Sequence, residues 1–215
     1  MNSAMGLRQM FPWQTNNILS GFDILCAKIG KRPVNLNFII FANCIIMLIR
    51  PATYEDIPAI NAMAQVVFRQ TYRDILSPQQ MEFMMDWMYS PENLAGQMDG
   101  GHRFFIAEDD IGLHGYVSVR QDGSDADGVP VFHLEKIYVM PESQGLGLGK
   151  ALFETAVTAV RKAVNNAPAR MELNVNRNNP AVGFYKKLGM SILRQGDFPI
   201  GHGFYMNDYI MSTQI

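Results

Sequence analysis

Residues 134–157 read LEKIYVMPESQGLGLGKALFETAV. A run rich in branched and aromatic residues ends at Val139, Pro141 interrupts it, glycines stand at 145, 147 and 149, and a helical pattern begins. Glycine costs order in any regular element, so a cluster at a strand–helix junction marks a close approach to the backbone. The first N–H groups of a helix lack internal partners, and its dipole favours negative charge there. Gly145, Gly147 and Gly149 would let a pyrophosphate come near, with Lys150 adding positive charge at the rim. Two commoner phosphate loops fail. A P-loop needs Ser or Thr after its lysine, and Ala151 follows Lys150. A GxGxxG fingerprint started at Gly145 or Gly147 meets Lys150 or Leu152 where the third glycine belongs. The alternative, a tight turn with glycines for packing alone, stays open at this point.

The chain has 215 residues, 48% hydrophobic and 18% charged, which suits one ordinary domain with a buried core. A net charge of −2 argues against a nucleic-acid partner. Cys26 and Cys44 form no disulfide framework, so a reducing cytoplasm is the expected location. The four histidines stand without partners at metal-ligand spacing, and no metal is expected.

Residues 1–46 show no sustained period and read as a poorly ordered extension, with an extra helix or strand packed on the domain as the other reading; the working domain is expected at 47–215. The apolar run from Leu36 to Ile49 is short of the ~20 residues that span a bilayer, and no cleavage site follows it, so a membrane anchor is not expected. Thr53 with Asp56 opens a helix over TYEDIPAINAMAQVVFRQTY, and Ser77–Pro78 opens a second. SPENLAGQM repeats that signal from Ser90. RFFIAED and GLHGYVSVR read as strands joined at Asp109–Asp110. QDGSDADGVP reads as a solvated hairpin tip, since the calcium-loop spacing fails. VFHLEKIYV, a helix after the glycines, ARMELNV, a helix ended by Gly189, and SILRQG with FYMNDYIM complete a mixed α/β order, β-α-α-β-β-β-α-β-α-β-β.

Gln144, Gly147 and Gly149 fit Q-x-x-G-x-G, and NVNRNNPAVGFYKKLGM carries Asn178 and Tyr185 seven residues apart. With IRPATYEDIPAI at its start, the chain from about Ile49 to Met211 resembles the GNAT superfamily of N-acetyltransferases. The resemblance implies a mostly antiparallel, twisted central sheet splayed between two adjacent strands and flanked by helices. It implies acetyl-CoA as co-substrate. The pyrophosphate would lie on Gln144, Gly145, Leu146, Gly147, Leu148, Gly149 and Lys150. The pantetheine arm would pair with Ile137, Tyr138 and Val139, and Asn178 would contact the cofactor. Tyr185 matches the family's usual proton donor to the leaving thiolate.

The attacking amine must lose a proton, because an alkyl ammonium has a pKa near ~10.4. Where some members place a Glu on the strand corresponding to MELNV, this chain has Asn174, which cannot be a base. Glu135 and His133 share strand parity with Ile137, so all three should face one side, and Glu135 is the preferred candidate base. A water chain without a dedicated base is the other reading. The acceptor pocket is expected from FRQTYRDILSPQQMEFMMDWMY and DFPIGHGFYMNDY, with Tyr72, Asp74, Trp87, Tyr89 and Tyr205 suited to a cationic amine. TYRDILSPQQ, LEKIYV and FYKKLGM are diffusely similar to polyamine-acetylating members.

The expected activity is acetyl transfer to a primary amine of a small molecule by direct attack in a ternary complex, with room for a homodimer. The competing readings are a non-catalytic acyl-CoA-binding or regulatory module and a protein N-terminal acetyltransferase.

Overall fold

The computed structural model of the protein describes residues 37–40 and 46–215. One eight-stranded sheet organises them, in the order β1-β2-β3-β4-β5-β6-β8-β7. Its strands are β1 (Asn37–Ile40), β2 (Ile46–Pro51), β3 (Arg103–Glu108), β4 (Leu113–Ser124), β5 (Pro130–Val139), β6 (Arg170–Asn176), β7 (Ser191–Gly201) and β8 (Phe204–Gln214). Within the stretch read as an extension, Asn37–Ile40 forms an edge strand antiparallel to β2; the rest of residues 1–45 lies outside the described residues.

Three helices separate β2 from β3: α1 (Ile57–Tyr72), α2 (Pro78–Tyr89) and α3 (Pro91–Asp99). The segment after Ser90 is thus a third separate helix, one more than the two in the expected order. Each start follows from its sequence. The Thr53 N–H donates to Asp56 Oδ2 at 2.7 Å, and Ser77 and Ser90 accept from the N–H groups of Gln80 and Asn93. Prolines at the first positions of α2 and α3 donate nothing that a helix start would use. Helix α1 buries Ile57, Ile60, Met63, Ala64, Val67, Phe68 and Tyr72, one stripe at helical spacing. Arg50 fastens its start to the sheet, bidentate on Asp56 at 2.8 Å and bonded to Glu108 at 2.6 Å.

Two cores lie on the two faces of the sheet. Phe104, Ile106 and Tyr116 pack with α1–α3. Val117, Val119, Phe132, Leu134, Met171 and Leu173 pack with α4 (Leu148–Ala163), while α5 (Ala181–Lys187) adds Tyr185. The polar stretch read as a hairpin tip is the tip of the β4–β5 hairpin, though a tighter one than its length suggests: β4 runs to Ser124, β5 starts at Pro130, and residues 125–129 turn. There Asp125 Oδ1 accepts from the N–H groups of Asp127 and Val129, and Arg170 bonds Oδ2. The carboxylate that suggested a cation loop therefore caps its own turn.

Every strand pair is antiparallel except β5–β6, whose pairing covers only Val131–His133 against Arg170–Glu172. The reason sits on the other side of β5. Ser118 pairs with Lys136 and Val119 with Leu134, leaving Glu135 as the extra residue of a β-bulge. A bulge bends its strand and increases local twist. Here it bends β5 where its partnership with β6 ends. From that point Ile137–Val139 stay bonded to β4, and their other edge has no β6 partner.

The bulge also corrects the parity expected of β5. Phe132 and Leu134 belong to the α4 core, and beyond the bulge Ile137 and Val139 do so, while Tyr138 packs against α1–α3. The alternation has changed phase at Glu135, so His133 and Ile137 do not share a face.

Candidate active site

The splay opens a cleft of about 1100 Å³. Gln144, Gly145, Gly147, Gly149 and Lys150 line one end. The free edge of β5 and the facing residues Asn174, Asn178 and Tyr185 line its middle. Tyr72, Asp74 and Trp87 line the other end with Phe198, Ile200 and Met206.

At the glycine end, a short turn at Pro141–Ser143 leads into the loop, and Gln144 Nε2 donates back to the Val139 carbonyl at 3.1 Å. Gly145 and Gly147 have φ of +78° and +83°, a region in which other residues are strained. Neither would meet any atom within 4 Å if given a Cβ, so the space beside them is open. The first helical N–H with a recorded backbone partner is that of Ala151, bonded to the Gly147 carbonyl at 3.1 Å. The amides of Leu148, Gly149 and Lys150 precede it and form the unpaired first turn. This donor set and the open space fit a pyrophosphate. Lys150 lies 3.7 Å from Glu154 on an exposed face near the rim.

Three of the expected loop residues have only backbone to offer the cleft. Leu148 is a core residue at 1% exposure, so it could offer only its backbone. The exposed Leu146 side chain does not line the cleft. Gly149 lines the cleft and also serves packing: a Cβ there would stand 3.3 Å from the Phe184 ring.

Tyr185 lines the cleft from α5, its ring edge-on to Phe184 at 5.3 Å. Burial, with Tyr72 nearby, holds its phenol well above the usual value, so the hydroxyl keeps its proton at neutral pH. Asn178 is exposed in the cleft, its N–H donating to Asn176 Oδ1 at 3.0 Å. Glu135 and His133 line the cleft as well. Glu135 is bonded to Arg120 Nε at 2.5 Å. Burial pushes its carboxyl up, but His133, Arg120 and Lys136 together bring it below its ordinary value. A carboxylate so held is a weak base, which counts against the role expected for it. Of the five residues expected around an amine, Tyr72, Asp74 and Trp87 line the cleft. Tyr89 is fully buried under the sheet and Tyr205 is exposed; neither lines it.

Two residues escaped the sequence reading. Asp208 of β8 lines the cleft and is 2% exposed; the alternation Met206–Asp208–Ile210 is its only sequence signal. His114 was one of four apparently isolated histidines. Its Nδ1 lies 2.8 Å from Ser143 Oγ and its Nε2 2.9 Å from Asp109 Oδ1, tying the β3–β4 turn to the turn before the glycines. His114→Leu is expected to raise the KM for acetyl-CoA ~5–10-fold with kcat nearly unchanged, the loss of one or two hydrogen bonds of about 1 kcal/mol each. Steady-state kinetics with varied acetyl-CoA check this; a fall in kcat alone would contradict it.

Among the described residues, no group of three or more His, Cys, Asp or Glu is placed to hold a metal ion, and no helix is long and apolar enough to cross a membrane. The fold and its glycine turn are those of the acyl-CoA-dependent N-acyltransferases. The family model of the acetyltransferase (GNAT) domain matches residues 72–193, and the chain belongs to that family. It is 33% identical over 92 residues to an N-alpha-acetyltransferase of Sulfurisphaera tokodaii, covering 40% of this chain and 54% of that protein. The chain thus spans about half the length of that relative. An uncharacterised N-acetyltransferase from the pepI 3′ region of Lactobacillus delbrueckii is 26% identical over 151 residues, 68% of this chain and 86% of its own length. The PaiA N-acetyltransferase of Thermoplasma acidophilum, solved in complex with coenzyme A, superposes with a TM-score of 0.62 at 23% identity, covering 79% of this chain and 99% of that one.

Proposed function

We propose that the protein moves an acetyl group from acetyl-CoA to a primary amine of a small molecule by direct attack in a ternary complex. The observation that carries this reading is the splay of β5 from β6, which opens at a helix N-terminus with bare glycines and has Tyr185 in its wall. The amides from Gly145 to Lys150 would hold the diphosphate, and the free edge of Ile137–Val139 would pair with the pantetheine arm. One amide of that edge can donate to the acetyl carbonyl; an oxyanion donor of this kind is worth ~3–4 kcal/mol. Asn178 would contact the co-substrate, and Tyr185 would donate to the departing sulfur.

The acceptor end supports a compact molecule. The β7–β8 hairpin is docked on α2: Gln80 Nε2 donates to the Tyr205 carbonyl at 2.9 Å, and Phe83 packs on His202 and Phe204 at 4.8 and 5.7 Å. Phe198, Ile200 and Met206 thereby face Tyr72 and Trp87 across the cleft. Aromatic faces beside a carboxylate suit a cationic head with an apolar body. A protein N-terminus is the second reading, favoured by the relative described as an N-alpha-acetyltransferase. A cytoplasmic setting belongs to the same proposal and rests on the cysteine usage.

Free-thiol release from acetyl-CoA, measured with a panel of small primary amines and short peptides with free N-termini, tests the proposal. Turnover on small amines supports it. Turnover on peptides alone moves the acceptor to a protein N-terminus. CoA binding without turnover on any amine leaves a non-catalytic module.

A further inference from the structure

Four carboxylates line the cleft: Asp74, Asp122, Glu135 and Asp208. Three are held by cations, Asp74 by Arg73 at 3.0 Å, Asp122 by Arg120 at 3.0 Å and Glu135 by Arg120 at 2.5 Å. Asp208 is not. It is 2% exposed, and its Oδ2 accepts from Asn174 Nδ2 at 3.3 Å while its Oδ1 has no partner among the described residues. A buried carboxylate oxygen with nothing to bond is costly, and sites bear that cost where a ligand supplies the missing donor.

The register of β8 places this oxygen. Asp208 stands opposite Asn176 of β6 and Gly196 of β7, in phase with Met206, which packs on the α1–α3 side. Tyr185 belongs to the core on the α4 side. The two residues therefore approach the splay from opposite faces of the sheet, which leaves one to the nitrogen and the other to the sulfur of the reacting centre.

We propose that Asp208 receives the ammonium of the acceptor and takes its proton, the role for which Asn174 lacks a basic group and to which the Arg120-bound Glu135 is poorly suited. The inference rests on the acetyltransferase reading and adds the charge of the acceptor: a cation, whose N–H fills the vacant bond of Oδ1. The ammonium N–H breaks and its proton passes to Asp208. The freed nitrogen pair forms the bond to the acetyl carbon, and the C–S bond breaks. Tyr185 gives its proton to the sulfur and is restored by the second proton lost from nitrogen. Asp208 returns its own to solvent. Three N–H bonds thus become one, with one proton on CoA and one released. Burial supports the role by holding the Asp208 carboxyl above its usual value, although Asn174 and Arg177 oppose this. Asn174, which cannot act as a base itself, orients the carboxylate.

Asp208→Asn keeps the shape of the side chain and removes its proton affinity. Thiol release with spermidine, tyramine and butylamine as probes, beside calorimetry with CoA, reads the effect. The expected result is a ~10²-fold fall in kcat/KM for every amine that the wild type accepts, with CoA affinity within about twofold. If the Asn variant does not bind CoA, Asp208→Ser replaces it. An active wild type with a variant that keeps its turnover overturns this inference alone. A wild type that binds CoA and acetylates no amine overturns the acetyltransferase reading and this inference with it.

Discussion

Tyr185→Phe is expected to lower kcat for acetyl transfer by ~10²-fold while CoA affinity stays within about twofold. The substitution removes one oxygen from a ring already fixed by Phe184 and by the core between α4 and α5, so packing has little reason to change. What disappears is, among the described residues, the only phenol that reaches the cleft from that side. A hydrogen bond to a charged group is worth about 1.5–3 kcal/mol. The departing thiolate carries its charge only late in the reaction, so the loss should fall on kcat and not on binding. Because the phenol is held above its usual value, it stays protonated through neutral pH and into the alkaline range. Variant and wild type should therefore differ by the same factor across that range. Rapid-mixing measurement of thiol release, with calorimetry for CoA, checks both parts. Unchanged turnover would remove Tyr185 from the chemistry.

Lys136→Met is expected to stabilise the fold by about 3 kcal/mol at neutral pH, with an advantage that fades as pH rises. Lys136 is 5% exposed beneath α2 and α3; its Nζ donates to Gln97 Oε1 at 2.7 Å and lies 5.7 and 5.8 Å from the Tyr89 and Phe104 rings. Burial pushes its ammonium down from 10.5 to about 8, with Glu135 opposing. Between these values the unfolded chain keeps a proton that the folded chain has released. Stability therefore rises with pH across that window, and the full penalty applies below it. The difference between 10.5 and about 8, at ~1.4 kcal/mol for each pH unit, gives between about 3 and 4 kcal/mol, and the loss of the Gln97 bond brings this down to the quoted figure. The buried tyrosines lose stability at higher pH in both proteins and cancel in the comparison. Urea unfolding of both proteins from about pH 7 to about pH 10 measures the gap. A gap independent of pH would mean that Lys136 keeps its proton in the fold as it does in the unfolded chain, and that burial does not lower its pKa.

Local signals in the sequence were enough to expect the strand, glycine turn and helix from Leu134 to Val157, and also the helix starts at Thr53, Ser77 and Ser90. In each, a few adjacent residues decide the backbone. The splay between VFHLEKIYV and MELNV was expected from resemblance, not from periodicity. Its physical cause, the bulge at Glu135, depends on which residues of β4 face β5, and no period in one strand contains that information. The same bulge defeated the parity argument for His133, Glu135 and Ile137. Arg120 is fifteen residues upstream of Glu135, and only the β4–β5 register shows that it holds the expected base. Asp208 and His114 were illegible for a similar reason. One is a carboxylate among alternating residues in the last strand, and the other gains its partners from two separate turns. Tyr89 misled because an aromatic on a helix next to the acceptor end reads the same whether it faces the cleft or the core.

Calorimetric titration of the protein with CoA and acetyl-CoA tests the central claim most directly, with Gly147→Val as its control. The account predicts one site per chain in the wild type. It predicts affinity reduced ~10-fold or more in the variant, since a branched residue at a φ of +83° costs roughly 1–2 kcal/mol before it crowds the open face of the loop. Wild-type protein that gives no heat with either ligand, or a variant that binds as tightly as the wild type, would contradict it.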